Sequence, residues 1–270
     1  MKAFEELKIG CIGTGTMGGA LISAMTKIVK PENIFVSSGH YENAKAFAEK
    51  NHCIACKTNS ETAQEADILF LGVKPIYTTQ VISEVKKSLK KDSVIVSMAA
   101  GVTLERLQSA AEGFSVIRIM PNMPALCGQA MTALCCTADV EESEVSYVSK
   151  LLECAGKVEK VNENLMDCVT GVSGSGPAFV FMFIEALADA AVRCGMPRKQ
   201  AYIYAAQTVK GSASMALEDG RCPAALKDAV CSPAGTTIEG VATLEKNNFR
   251  SAVIEAVTAA CEKSKSLGKK

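Results

Sequence analysis

The sequence predicts an α/β chain, with a doubly wound, mostly parallel sheet in its N-terminal part and an all-α domain after it. Three observations carry that prediction. Short β-rich runs alternate with helical patterns through the first half, the order that parallel strands and crossover helices produce. A glycine-rich string sits at residues 13–18, between the first such run and the first helical pattern. Past about residue 162 strand-like runs cease and Ala-dense helical spacing replaces them. The expected domains are residues 1–162 and 163–270.

In chain order, residues 8–12 read as a buried strand and residues 20–29 as a helix that stops near Pro31. Residues 34–37 are a second strand and residues 42–50 a second helix. Residues 67–73 form a continuous apolar run, the pattern of a strand covered on both faces. A helix over 81–89 carries Val81, Ile82, Val85 and Leu89 at helical spacing. Residues 93–97 and 115–119 are further strands, and 130–135 and 157–161 complete the sheet. Helices follow over 177–194, 198–218 and 250–267, with Ala dense at 186, 188, 190 and 191 and again at 201, 205 and 206, small residues that permit close helix approach. The most hydrophobic segment, 177–184, reads as a core helix too short to span a bilayer.

Composition excludes several classes of function. Hydrophobic residues at 48% and charged residues at 21% exclude general disorder. Lys plus Arg and Asp plus Glu are 29 each, so no net charge points to nucleic acid or to an anionic membrane. With 2 His a multi-histidine metal site is not expected, and with no Trp a base-stacking platform is not either. The first seven residues carry two Glu and no apolar run, so no export signal is expected and the chain reads as cytoplasmic. The 12 cysteines then read as reduced thiols, mostly small buried hydrophobes such as Cys11, Cys194 and Cys261. Cys53 and Cys56 form C-x-x-C without the second pair that a zinc ribbon needs.

Gly13, Thr14, Gly15, Thr16, Met17 and Gly18 spell G-x-G-x-x-G between a strand and a helix, the context of a Rossmann-type dinucleotide loop. Gly13 permits the tight turn, Gly15 lets a pyrophosphate approach the backbone, and Gly18 lets helix and strand pack closely. The helix start then offers unpaired N–H groups to phosphate. An NAD enzyme usually carries Asp or Glu about 20 residues beyond the glycines. Here Ser37, Ser38, Gly39 and His40 stand there, with no carboxylate to repel a 2′-phosphate, which favours NADP(H) over NAD(H). His40 also reads as an ordinary exposed loop residue. Val73 and Lys74, and Ala99 and Ala100, follow strands at the end where a doubly wound sheet places its ligand. Lys74 suits ribose or phosphate there, or plain solvent.

Two stretches in the second half are poor in side-chain bulk. Residues 170–177 read T-G-V-S-G-S-G-P, expected as a turn that opens a helix at Pro177. Residues 230–237 read V-C-S-P-A-G-T-T and also enter a predicted helix. Both offer N–H and hydroxyl donors to a small anionic group.

The glycine loop, V-K-P at 73–75, A-A-G-V at 99–102, R-I-M-P-N-M-P at 118–124, the 170–177 stretch and residues 223–245 together resemble the pyrroline-5-carboxylate reductase family, over nearly the whole chain. The resemblance implies a helical dimerisation domain, interleaved subunits, larger rings of dimers, and NAD(P)H-dependent reduction of a cyclic imine to L-proline, the last step of proline biosynthesis. It implies cofactor contacts at Thr14, Thr16, Met17, Ser38, Asn59, Val73, Lys74, Ala99 and Ala100. It implies substrate contacts at Glu163, Thr170, Ser175, Ser232, Gly235, Thr236 and Thr237, with Thr170 and Ser175 nearest the chemistry. Two positions depart from the family pattern: Ala234 stands where Gly is common, and Ala229 where some members have an Asn that reaches the cofactor.

A protonated imine is already electrophilic, so its reduction needs no strong general acid, and the absence of His from the second half fits. A β-hydroxyacid dehydrogenase of similar plan needs a base for alcohol oxidation, often a Lys in the helix after the Gly-Ser turn. The 177–194 pattern carries Glu185, Asp189 and Arg193 but no Lys. A non-catalytic nucleotide sensor would keep the glycine loop without needing the hydroxyl-rich stretches.

Overall fold

In the computed structural model, which describes residues 4–268, the apolar runs become strands covered on both sides. Among the described residues one sheet holds β1 (Ile9–Ile12), β2 (Ile34–Ser37), β3 (Ile54–Ala55), β4 (Ile68–Leu71), β5 (Val94–Ser97), β6 (Ser115–Met120), β7 (Ala130–Cys136) and β8 (Gly156–Lys160). Their order across it is β3-β2-β1-β4-β5-β6-β7-β8. The chain winds outward one way from β1 and then the other way from β4, so the switch point lies between these two strands. On β4 the coverage is explicit: Ile68 and Phe70 enter one core, Leu69 and Leu71 the other.

The strands are linked by α1 (Thr16–Met25), α2 (Tyr41–Asn51), α3 (Asn59–Glu65), α4 (Thr78–Val85), α5 (Leu104–Ala110) and α6 (Glu142–Glu153). The first helix starts at Thr16, ahead of the start that apolar spacing predicts, because the loop glycines run straight into its first turn. Polar sequence hides α3 from a hydrophobic pattern, whereas α6 carries Val145, Val148, Leu151 and Leu152 at helical spacing; both have visible caps. Thr58 Oγ1 accepts from Glu61 N at 3.1 Å while the Glu61 carboxylate accepts from Lys57 N at 2.9 Å. At α6 the box is fully reciprocal, because Glu144 accepts from the N–H of the N-cap Glu141 itself and the Glu141 side chain accepts from Glu144 N.

One pairing breaks the parallel rule. The β7 strand runs antiparallel to β6, from Ile117↔Cys136 to Met120↔Ala133. Their link holds only a 3-10 turn, Met123–Cys127, and no crossover helix, so the chain doubles back. The other pairings are parallel.

After β8 come α7 (Met166–Val169), a π-helical turn (Thr170–Gly174), α8 (Gly176–Arg193), α9 (Arg198–Glu218), α10 (Pro223–Val230), α11 (Thr236–Lys246) and α12 (Phe249–Gly268). The chain forms two compact units: one ends at Ser175 and takes the chain back from Ala259, and the other is Gly176–Thr258. Composition thus changes near residue 162, whereas packing changes at Ser175. Met166 sits in a core of the sheet, and Ser264 Oγ of α12 donates to Asp167 at 2.6 Å. Residues 1–3, part of the segment read for an export signal, lie outside the described residues.

The 177–184 segment is not the core of this chain. Phe181 is 56% exposed and Met182 68%, and Ala188 is the buried residue of α8. Within its unit no second layer covers these side chains. Nor is the apolar helix short. The helical run Glu163–Arg193 is, by length and composition, apolar enough to cross a membrane. Small residues interrupt its apolar runs without adding charge, which is why counting consecutive apolar residues underestimates it. The thiols also divide: Cys11 is buried, Cys261 half-buried, and Cys194, just past the end of α8, is exposed.

Candidate active site

The glycine loop sits at the carboxyl end of β1, and each glycine has a separate steric reason. At Gly13 the φ is +102°, and a Cβ would lie 2.6 Å from the Gly72 backbone. A Cβ on Gly18 would overlap the Gly13 carbonyl oxygen. By contrast, nothing lies within 4 Å of a Cβ on Gly15. Gly15 is the N-cap of α1 and offers no side chain to cap the first N–H groups. Thr14, Gly15 and Thr16 line a cleft of about 670 Å³ that Lys27 and Lys50 also line. The space and the uncapped donors suit a phosphate group.

Around this loop the strand ends gather several of the expected residues. Gly13 N donates to Ser37 O at 2.8 Å, tying the loop to β2. Buried Ser37 donates its hydroxyl to Asn59 Oδ1 at 2.9 Å, which orients Asn59 at the start of α3. Ser38 is half-buried just past β2, and His40 is an exposed N-cap of α2 that makes no cap bond. Val73 is half-buried and Lys74 exposed after β4, while Ala99 is buried and Ala100 half-buried after β5. All follow carboxyl ends of parallel strands in one compact unit.

The 170–177 stretch is helical rather than a turn. Thr170–Gly174 is a π-helical turn closed by Ser175 N donating to Thr170 O at 2.8 Å. Its N–H groups are therefore engaged in helix, and what it presents is hydroxyls. Thr170 Oγ1 donates to Met166 O at 2.8 Å, which commits its proton and leaves its lone pairs as acceptors. Ser175 is half-buried at the end of the turn. Glu163 Oε1 accepts from Arg118 Nη1 at 2.8 Å and from Leu104 N at 2.6 Å.

The 230–237 stretch does enter a helix. Gly235 N donates to Ser232 O at 3.1 Å, and Gly235 caps α11 without a side-chain bond. Thr236 and Thr237 supply the first turn, whose N–H groups no N-cap side chain takes. Ala234 has φ +56°, the left-handed conformation that glycine adopts without strain, which explains why a glycine suits that position.

Two residues escaped the reading of single positions: Arg118 and Asn122, both buried, in the R-I-M-P-N-M-P motif. Among the described residues no cluster of three or more His, Cys, Asp or Glu could hold a metal ion. Burial pushes the Cys53 thiol up to about 11, so the C-x-x-C pair is poor in thiolate.

Comparison with known proteins agrees with this geometry. Residues 163–267 match the family described as pyrroline-5-carboxylate reductase dimerisation, and residues 8–101 match NADP oxidoreductase coenzyme F420-dependent. The chain is 48% identical over 267 residues to the pyrroline-5-carboxylate reductase of Escherichia coli (strain K12), covering 98% of this chain and 99% of that one. It is 44% identical to that of Methanosarcina acetivorans, covering 98% and 100%. The crystal structure of Plasmodium falciparum pyrroline carboxylate reductase with NADP bound superposes with a TM-score of 0.89 at 33% identity, covering 98% of this chain and 100% of that one. With relatives matched from end to end, the chain belongs to the pyrroline-5-carboxylate reductase family.

Proposed function

We propose that the chain reduces Δ1-pyrroline-5-carboxylate to L-proline with NADPH, the last step of proline biosynthesis. The observation that carries this reading is the uncapped start of α1, with open space at Gly15, in a chain of this family. NADPH, when bound, supplies a hydride to the imine carbon, and the nitrogen keeps the proton it already holds. Gly13, Thr14, Gly15, Thr16, Met17 and Gly18 receive the pyrophosphate, and Ser38 and Asn59 the adenosine ribose side. Val73, Lys74, Ala99 and Ala100 line the remaining length of the cofactor.

Thr170 is assigned to the imine. Its proton is committed to Met166 O, so its free lone pairs accept the N–H of the iminium and hold the ring in one orientation. Ser175 and Glu163 are assigned to the same substrate. Ser232, Gly235, Thr236 and Thr237 are assigned to its carboxylate, which the uncapped start of α11 attracts. On this reading residues 163–270 act as the substrate-binding and dimerisation domain.

The exposed apolar side chains of α8 are read as subunit interface rather than as a lipid-facing surface, because residues 163–267 match a dimerisation domain. The proposed assembly is a homodimer, arranged in a larger ring, in the cytoplasm. The decisive assay follows NADPH and NADH oxidation with the five-membered and six-membered cyclic imines. Turnover of the five-membered imine with NADPH is expected. Turnover of a β-hydroxy acid in its place, or none with either imine, overturns the reading.

A further inference from the structure

The R-I-M-P-N-M-P stretch has no role in the contacts assigned so far, yet two of its side chains reach the segment that carries Thr170. Arg118, on β6, is 3% exposed and donates from Nη1 to Glu163 Oε1 at 2.8 Å. Its Nε is buried with no hydrogen-bond partner among the described residues. The Glu163 carboxylate is thus the group that answers this buried charge.

Asn122 is 8% exposed and uses both ends of its amide. Its Oδ1 accepts from Met131 N of β7 at 2.9 Å, and its Nδ2 donates to Ser173 O at 2.9 Å. Ser173 needs that donor for a reason written in the sequence. In an α-helix its carbonyl would pair with the N–H four residues on, and that residue is Pro177, which has none. Just before this proline the helix is widened into the π turn, closed by Ser175 N on Thr170 O. Asn122 supplies from the sheet the bond that the proline removes.

We propose that Asn122 and Arg118 are positioning residues: together they clamp the segment from Glu163 to Ser175 to the sheet and fix the direction in which Thr170 presents its hydroxyl. The inference rests on the reading of Thr170 as the imine contact. Neither residue is assigned to substrate or cofactor. Both act through the helix they hold.

Asn122→Asp tests this in the full-length chain, because it keeps the acceptor for Met131 N and removes the donor to Ser173. Two measurements are made: amide hydrogen exchange over residues 166–175, and steady-state kinetics with Δ1-pyrroline-5-carboxylate and NADPH. Exchange is expected to quicken about tenfold and kcat to fall about tenfold, with KM for NADPH held within about twofold. Adding Pro177→Ala returns an N–H to the Ser173 carbonyl, and protection is expected to recover. Unchanged exchange in Asn122→Asp overturns the clamp, and faster exchange with unchanged kcat overturns the positioning role. If that variant does not fold, Asn122→Ser, too short to reach Ser173, gives the same two readouts. A wild-type chain inert toward the imine overturns the functional reading, while the exchange measurement still decides the clamp.

Discussion

Gly18 packs so closely on the carbonyl oxygen of Gly13 that no Cβ fits between them, whereas Gly15, in the same loop, faces open space. Glycine therefore serves the fold at Gly18, while at Gly15 it is the proposed ligand, and not packing, that calls for it. Gly18→Ala is expected to destabilise the chain by about 1–3 kcal/mol, the range for overpacking. Gly15→Val is expected to unfold at a near-wild-type denaturant midpoint and to lose NADPH binding in titration calorimetry. Retained binding would remove the loop from the cofactor site.

Thr170→Ala removes one acceptor and little bulk. A hydrogen bond to a charged partner is worth about 1.5–3 kcal/mol, so kcat/KM for the imine is expected to fall by about 10-fold to 150-fold. Fluorescence titration should return an unchanged NADPH Kd. Kinetics equal to wild type would take Thr170 out of the site.

Ser38→Asp places a carboxylate where the 2′-phosphate of NADPH is expected. Repulsion between charges at about 4 Å runs from about 1 kcal/mol in water to about 4 kcal/mol near a protein surface. Paired measurements of KM for NADPH and NADH should show the preference moving toward NADH. An unmoved ratio would place the adenosine ribose elsewhere.

Phe181→Glu puts a charge on the exposed apolar side of α8. Sedimentation velocity is expected to show a smaller species than wild type at equal concentration. If the two sediment alike, that side of the helix is not a subunit contact.

Thiol chemistry follows burial. Desolvation pushes the Cys11 and Cys135 thiols up to about 12, so near neutral pH they hold almost no thiolate. Cys127 is exposed on the 3-10 turn after β6. A maleimide reagent is expected to modify Cys127 in the native protein and to reach Cys11 and Cys135 only after denaturation, as peptide mass spectrometry would reveal. Native labelling of Cys11 would contradict the packing of β1.

The legible parts of the fold are those where one residue type has one physical use. The apolar run of β4 reads as a doubly covered strand because Ile68, Leu69, Phe70 and Leu71 leave no polar face. The loop glycines read correctly because backbone contact excludes any other residue at Gly13 and Gly18. Polar helices such as α3 are silent to apolar spacing and speak only through Thr58 and Glu61. The π turn was hidden for another reason: glycines, serines and a proline in series describe a turn equally well. No local pattern shows that Asn122, distant in sequence, donates to the Ser173 carbonyl within that turn. For the same reason, the charge partner of Glu163 had to wait for the strand that carries Arg118.

Because α12 leaves the helical unit and rejoins the sheet unit from Ala259 on, with Ser264 bonded to Asp167, the sheet unit is discontinuous in the chain. Residues from Ala259 on must therefore be made before the seam of the sheet unit can close. Vectorial synthesis here does not mean vectorial completion.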